Sequence, residues 1–79
     1  MMPLVMAQPG EEVRLVALHG GHHMRRRLAD LGLTLNMPLR LVQTNGQGPL
    51  IVAVKDTRLA LGRGMAHHIM VEPLQSTEE

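Results

Sequence analysis

The chain has 79 residues, 44% of them hydrophobic, with Lys and Arg numbering 8 against 7 Asp and Glu and a formal net charge of +1 at pH 7. So short a chain builds one domain at most, and its apolar share is too high for a disordered tail. The near-neutral charge excludes a global field that would hold a polyanion, and the absence of cysteine excludes disulfides, thiolate zinc sites and cysteine nucleophiles together.

The first nine residues read as a lead-in whose "PLVMA" stretch is apolar enough to pack, and Pro9-Gly10 is a turn. "EVRLVAL" (12–18) alternates, with Val13, Leu15 and Ala17 on one side and Arg14 and Val16 on the other, the pattern of a half-buried strand that ends at Gly20-Gly21. The period then changes. Met24, Leu28 and Leu31 are spaced as one stripe of a helix over 22–31, and Gly32 stands where a C-terminal cap belongs. "LRLVQTN" (39–45) is a second strand with Leu39, Leu41 and Gln43 on one side, and "TNGQGP" (44–49) is a hairpin loop. "LIVAVK" (50–55) is a third strand, Asp56-Thr57 turns the chain, and 58–61 returns it. "GRGMA" (62–66) is a tight segment of one helical turn, 68–73 is the last strand with Ile69 and Val71 opposed to Met70 and Glu72, and 75–79 is a polar, acidic tail.

Five short strands in so few residues predict a small β-barrel, since closure removes exposed edges. With no Phe, Tyr or Trp, Leu, Val and the seven Met must fill its core. Met fills gaps without fixing a shape, and a core of this size supplies only about 3–5 kcal/mol, which makes a metal, an oligomer or a partner a natural support. No apolar run is long enough to cross a membrane and no leader pattern opens the chain, so the expectation is a cytoplasmic protein that is not membrane-inserted.

The ordered set of signals resembles the FeoA family, the small SH3-like partners of the ferrous iron transporter FeoB. The stretches that carry the resemblance are L-x-x-x-x-P-G-E-E-V at 4–13, "RRRLADLGL" at 25–33, "PLRLV" at 38–42, "NGQGPLIVAV" at 45–54 and "RLALGRGMAHHIMV" at 58–71. Together they cover residues 3 to 74 of one domain spanning 1–79. The resemblance implies a mostly β, SH3-like barrel of about five strands with one short α-helix inserted after the first strand. It also implies an accessory role in ferrous iron uptake, by binding the cytoplasmic, GTPase-bearing region of an FeoB-type transporter. A related module ends iron-dependent regulators of the diphtheria-toxin-repressor type, so the alternative is an interaction or metal-sensing module of a regulator system.

Five histidines, His19, His22, His23, His67 and His68, are the candidate metal ligands. They lack a helical i, i+4 pair, and adjacent His67 and His68 point to opposite sides of an extended segment. Ferrous sites favour carboxylates beside histidine, and only Asp30 is near the first cluster. The expectation is therefore that no cofactor is required and that zinc or nickel, if bound, is adventitious. Arg25, Arg26 and Arg27 fan over roughly 200° of a helix surface, with Arg26 reaching Asp30. Without aromatic rings to stack bases they do not predict nucleic-acid binding. They fit either a solvated helix face or the rim of a protein-docking site.

"LGRGMA" contains G-x-G but lacks the lysine and hydroxyl of a phosphate loop, and reads as a turn. Ser76 and the threonines have no base-and-orienter set, so no enzyme is expected. Leu33 and Leu35, beside Leu59 and Met65, either pack the barrel end or line a shallow apolar groove for a partner. The partner-binding expectation is thus Arg25, Arg26, Arg27, Leu33, Leu35, Leu59 and Met65, with oligomerisation left open.

Overall fold

The computed structural model describes residues 1–44 and 46–74. Asn45 of the expected hairpin loop and the expected acidic tail at 75–79 lie outside these residues. The strands are β1 (Met2–Pro3), β2 (Glu12–Leu18), β3 (Pro38–Thr44), β4 (Leu50–Val54), β5 (Thr57–Leu61) and β6 (Ile69–Pro73). A 3-10 turn covers Leu4–Met6, α1 covers His22–Asp30 and α2 covers Arg63–Ala66.

All strand pairs are antiparallel, in one six-stranded sheet of order β1-β6-β2-β3-β4-β5. The five expected strands and the helix fall where the change of period puts them, within a residue at each end. The structure adds β1, which pairs Met2 with Val71 and Pro3 with Met70. Two residues are too few to show a period. Among the described residues, β1 and β5 each have one neighbour, so the sheet has two edges where a closed barrel was expected. β1 cannot carry closure further, because Pro3 has no N–H to donate and the chain turns at Leu4.

Two bulges depart from strict alternation. Leu15 pairs with Val71 and Ala17 with Met70, so Val16 is the extra residue of β2. Leu41 pairs with Val52 and Gln43 with Ile51, which makes Val42 the extra residue of β3. Ala17 and Gln43 were expected to share the inward side of Leu15 and Leu41. The bulges twist both strand ends instead, leaving Ala17 half-buried and Gln43 exposed. The turn between β4 and β5 also sits one residue earlier than expected, at Lys55-Asp56, with Val54 opposite Thr57. Lys55 has φ +55°, a left-handed conformation that two-residue hairpin turns usually give to glycine or asparagine.

One apolar core lies on the inner face of the sheet. Leu15, Leu41, Val52, Leu61, Ile69 and Val71 from the strands meet Leu4 of the 3-10 turn and Leu28 of α1. Among the described residues no polar or charged side chain is buried.

Candidate functional site

α1 holds the expected docking rim. Its N-terminal cap is Gly21, which offers no side-chain oxygen, and no acidic residue stands in its first turn. Its C-terminus is a Schellman motif. Gly32 has φ +91°, its amide donates to the Ala29 carbonyl at 2.9 Å, and the Leu33 amide donates to the Leu28 carbonyl at 3.1 Å. This motif brings Leu28 and Leu33 together on the core side, and Leu33 is only 1% exposed. Leu33 is therefore a core residue, which corrects its place on the expected docking surface.

Leu35 lies at the tip of the next turn and is 57% exposed. The turn is pinned beneath it. Asn36 takes φ +73°, its amide donates to the Leu15 carbonyl at 2.7 Å, and the Thr34 amide donates to Met37 Sδ at 3.2 Å. Leu35 does not line the expected groove: a groove of about 170 Å³ is lined instead by Leu31, Met37, Val54 and Leu59 together with Gly32, Lys55 and Thr57. Leu59 thus faces the expected groove. Met65 does not line it; it sits half-buried on α2, a helix that packs on the 3-10 turn. Leu31 was expected to hold α1 to the sheet, but it is 41% exposed and forms a wall of this groove. The signal for Leu31 was its position directly before the capping glycine, where the helix has turned past its core-facing side.

Arg25, Arg26 and Arg27 are all exposed, and Arg25 and Arg26 border an open hollow of about 480 Å³ with Leu18, His22 and Ala29. The expected Arg26–Asp30 pair does not form. Among the described residues the one ion pair is Arg14–Glu72, two residues directly opposite across β2 and β6. The hydrogen bond and positive charge of Arg14 hold the Glu72 carboxyl below the usual carboxylate range. Arg63 of α2 has a buried Nε without a hydrogen-bond partner.

The histidines do not converge. His22 and His23 are exposed in the first turn of α1, and His67 is exposed at the C-terminal end of α2. His19 and His68 meet through the backbone, the His19 amide donating to the His68 carbonyl at 2.7 Å. The His68 ring packs over Gly20, where a Cβ would stand 3.1 Å from its Nδ1. Among the described residues no three His, Cys, Asp or Glu side chains are grouped to hold a metal ion, and no helix is long and apolar enough to cross a membrane.

Comparison with known proteins gives this arrangement a family. The FeoA domain model matches residues 2–73. A Methanocaldococcus jannaschii protein named for Fe(2+) transport, as transport protein A, is 38% identical over 72 residues, covering 91% of this chain and 87% of its own length. The crystal structure of an iron uptake regulatory protein (FeoA) superposes with a TM-score of 0.84 at 34% identity, over 92% of this chain and 96% of that one. A manganese-dependent transcriptional repressor shares the fold, with a TM-score of 0.85 at 24% identity, over 91% of this chain and 41% of its own. The matched model spans the 3-10 turn, both helices and all six strands, so the chain belongs to the FeoA family, small non-enzymatic accessory proteins of ferrous iron transport.

Proposed function

We propose that the chain acts in ferrous iron uptake by docking, at the cytoplasmic side, onto the GTPase-bearing region of an FeoB-type transporter. The observation that supports this reading is the groove of Leu31, Met37 and Leu59, open to solvent beside the exposed Leu35. Apolar side chains left in water on a small domain gain free energy when a partner covers them, at roughly 25 cal/mol for each Å² of apolar surface. The arginines of α1 have no ion-pair partners among the described residues and are free to steer the encounter. No metal or cofactor enters this mechanism; contact is its only chemistry.

Isothermal calorimetry between the full chain and the soluble GTPase-bearing region of the cognate transporter tests it. Leu31→Ala and Leu35→Ala should weaken binding while the chain stays folded, and Arg26→Glu should weaken it by an amount that high salt reduces. Wild-type binding by all three variants would refute this docking face.

A further inference from the structure

The outer face of the sheet bears a group of cations that neither the core nor the α1 end uses. The strand register puts four residues in one row across β2, β3, β4 and β5. Glu12 is opposite Arg40, Arg40 is opposite Ala53, and Ala53 is opposite Arg58. Neighbouring strands lie about 4.8 Å apart, so Arg40 and Arg58 rise from backbones about 10 Å apart with only the small Ala53 between them. Lys55 follows two residues after Ala53, at the turn that ends β4. Arg40, Lys55 and Arg58 are all exposed, and none has an ion pair or side-chain hydrogen bond among the described residues. Arg14, the next cation on this face, is by contrast neutralised by Glu72.

The face is also concave. A cavity of about 270 Å³ has Arg40 and Lys55 on its walls, with Glu12 at its acidic end and Ala53, Pro38 and the part-exposed Leu74 beside them. Lys55 lines this cavity and the groove of Leu31, Met37 and Leu59 as well, so the cationic face and the apolar groove are continuous through one side chain. Lys55 holds that place with φ +55°, where glycine would be conformationally favoured.

We propose that this face, at Arg40, Lys55 and Arg58, receives the carboxylates of a short segment of a partner protein in which acidic and apolar residues alternate. The proposal rests on the docking reading above and names the chemistry of what docks. Guanidinium forks pair carboxylates in two-point contacts, and a segment crossing Lys55 would place its next apolar side chain in the groove. Charge decides for a protein segment over a nucleic acid. Glu12 closes one end of the row and Asp56 flanks Lys55, so the positive patch is short and fenced by acids. A run of phosphates, charged at every unit, would overrun so short a patch and would find no aromatic ring to stack on, whereas a segment whose acids alternate with apolar residues needs only a few cations.

The test is a titration of the ¹⁵N-labelled full chain, followed by NMR, with an acetylated peptide of alternating leucine and glutamate. Its glutamine counterpart and a single-stranded oligonucleotide of equal length serve as comparisons. The expected result is saturable shifts of the Ala53, Lys55 and Arg58 amides with the glutamate peptide only. The Arg40→Glu/Arg58→Glu double variant should then bind at least tenfold more weakly with an otherwise unchanged spectrum. Should that variant misfold, Arg58→Gln alone should still weaken binding measurably. Equal binding of the glutamine peptide, tighter binding of the oligonucleotide, or wild-type affinity in the folded variants would overturn the proposal. So would the same shifts arising on concentrating the chain alone, which would assign the face to a second copy. The transporter region gives a separate answer: if it fails to bind while the glutamate peptide binds at these residues, the transporter reading falls and the acidic-segment reading stands.

Discussion

Replacing Leu33 by alanine removes a side chain that is 1% exposed and packed with Leu28 beneath the capping glycine. Leu35, two residues on, is 57% exposed and belongs to no core cluster. Truncating a buried leucine costs about 2–5 kcal/mol, through lost transfer free energy and the cavity left behind. The same change at an exposed site stays within about 0.5 kcal/mol. A domain of this size has a total stability of about 4–12 kcal/mol and shifts its Tm by about 4–8 °C for each kcal/mol. Leu33→Ala should therefore lower Tm by about 8–40 °C, and Leu35→Ala by a few degrees at most. The absence of Phe, Tyr and Trp rules out intrinsic fluorescence, so the melt is read by far-ultraviolet circular dichroism or calorimetry. A Leu35→Ala variant melting as low as Leu33→Ala would show that the turn at 34–37 packs inward, and the groove beside it would have to be redrawn. A Leu33→Ala cost below about 1 kcal/mol would remove the Schellman pair as the reason this loop turns where it does.

Glu72 is held below the usual carboxylate range near 4.5 by Arg14, so its contribution to stability is present above that range and is lost as pH falls through its folded pKa. Thermal melts from pH 7 down to pH 3 should show wild type losing more Tm than Glu72→Gln, and parallel curves would mean the pair contributes nothing. Lys55→Gly should raise stability by up to about 1 kcal/mol by relieving the positive φ, a gain that chemical denaturation would detect and that Lys55→Ala should not reproduce. Arg63→Met should leave stability unchanged or higher, because a buried donor without a partner costs about 1–3 kcal/mol; a loss above about 1 kcal/mol would show that its Nε is satisfied after all. Gly20→Ala should cost more than about 1 kcal/mol in the same assay, since φ is +104° there and the new Cβ would press on the His68 ring.

The fold was legible to the extent that period expresses it. The inward residues of β4, Leu50, Val52 and Val54, alternate without interruption, and the stripe of α1 ends at a glycine that does cap it. The bulges at Val16 and Val42 were not legible, because each swaps one β-branched residue's place in the ladder without changing composition. The turn at Lys55-Asp56 escaped for a related reason. Its left-handed position is filled by a lysine, so the residue type that would announce it is missing. Leu33 is different, since the spacing Leu28-x-x-x-Gly32-Leu33 already contains the apolar pair that a Schellman motif brings together. Gly32 reads as a cap, yet Leu33 was still expected on the docking surface and Leu31 in the inward stripe; the Schellman pairing reverses both, burying Leu33 and leaving Leu31 41% exposed.

The candidate site divides along the same line. Residues of one helix or one turn can be grouped from sequence, and Arg25 to Arg27 and Leu35 were. Arg40, Lys55 and Arg58 stand 15 and 18 positions apart from the first of them, and only the register of three strands sets them around Ala53. That register depends on a bulge two residues before the end of β3, and a one-residue slip would turn Arg40 inward and Leu41 outward. Burying Arg40 without a partner would cost far more than a surface pair returns, so the core that selects the register also fixes the cations on the outer face. The face is thus a by-product of packing in its position, but not in its composition. Packing requires only that these outward positions be polar, and it leaves free whether they are cations with no acid to pair them.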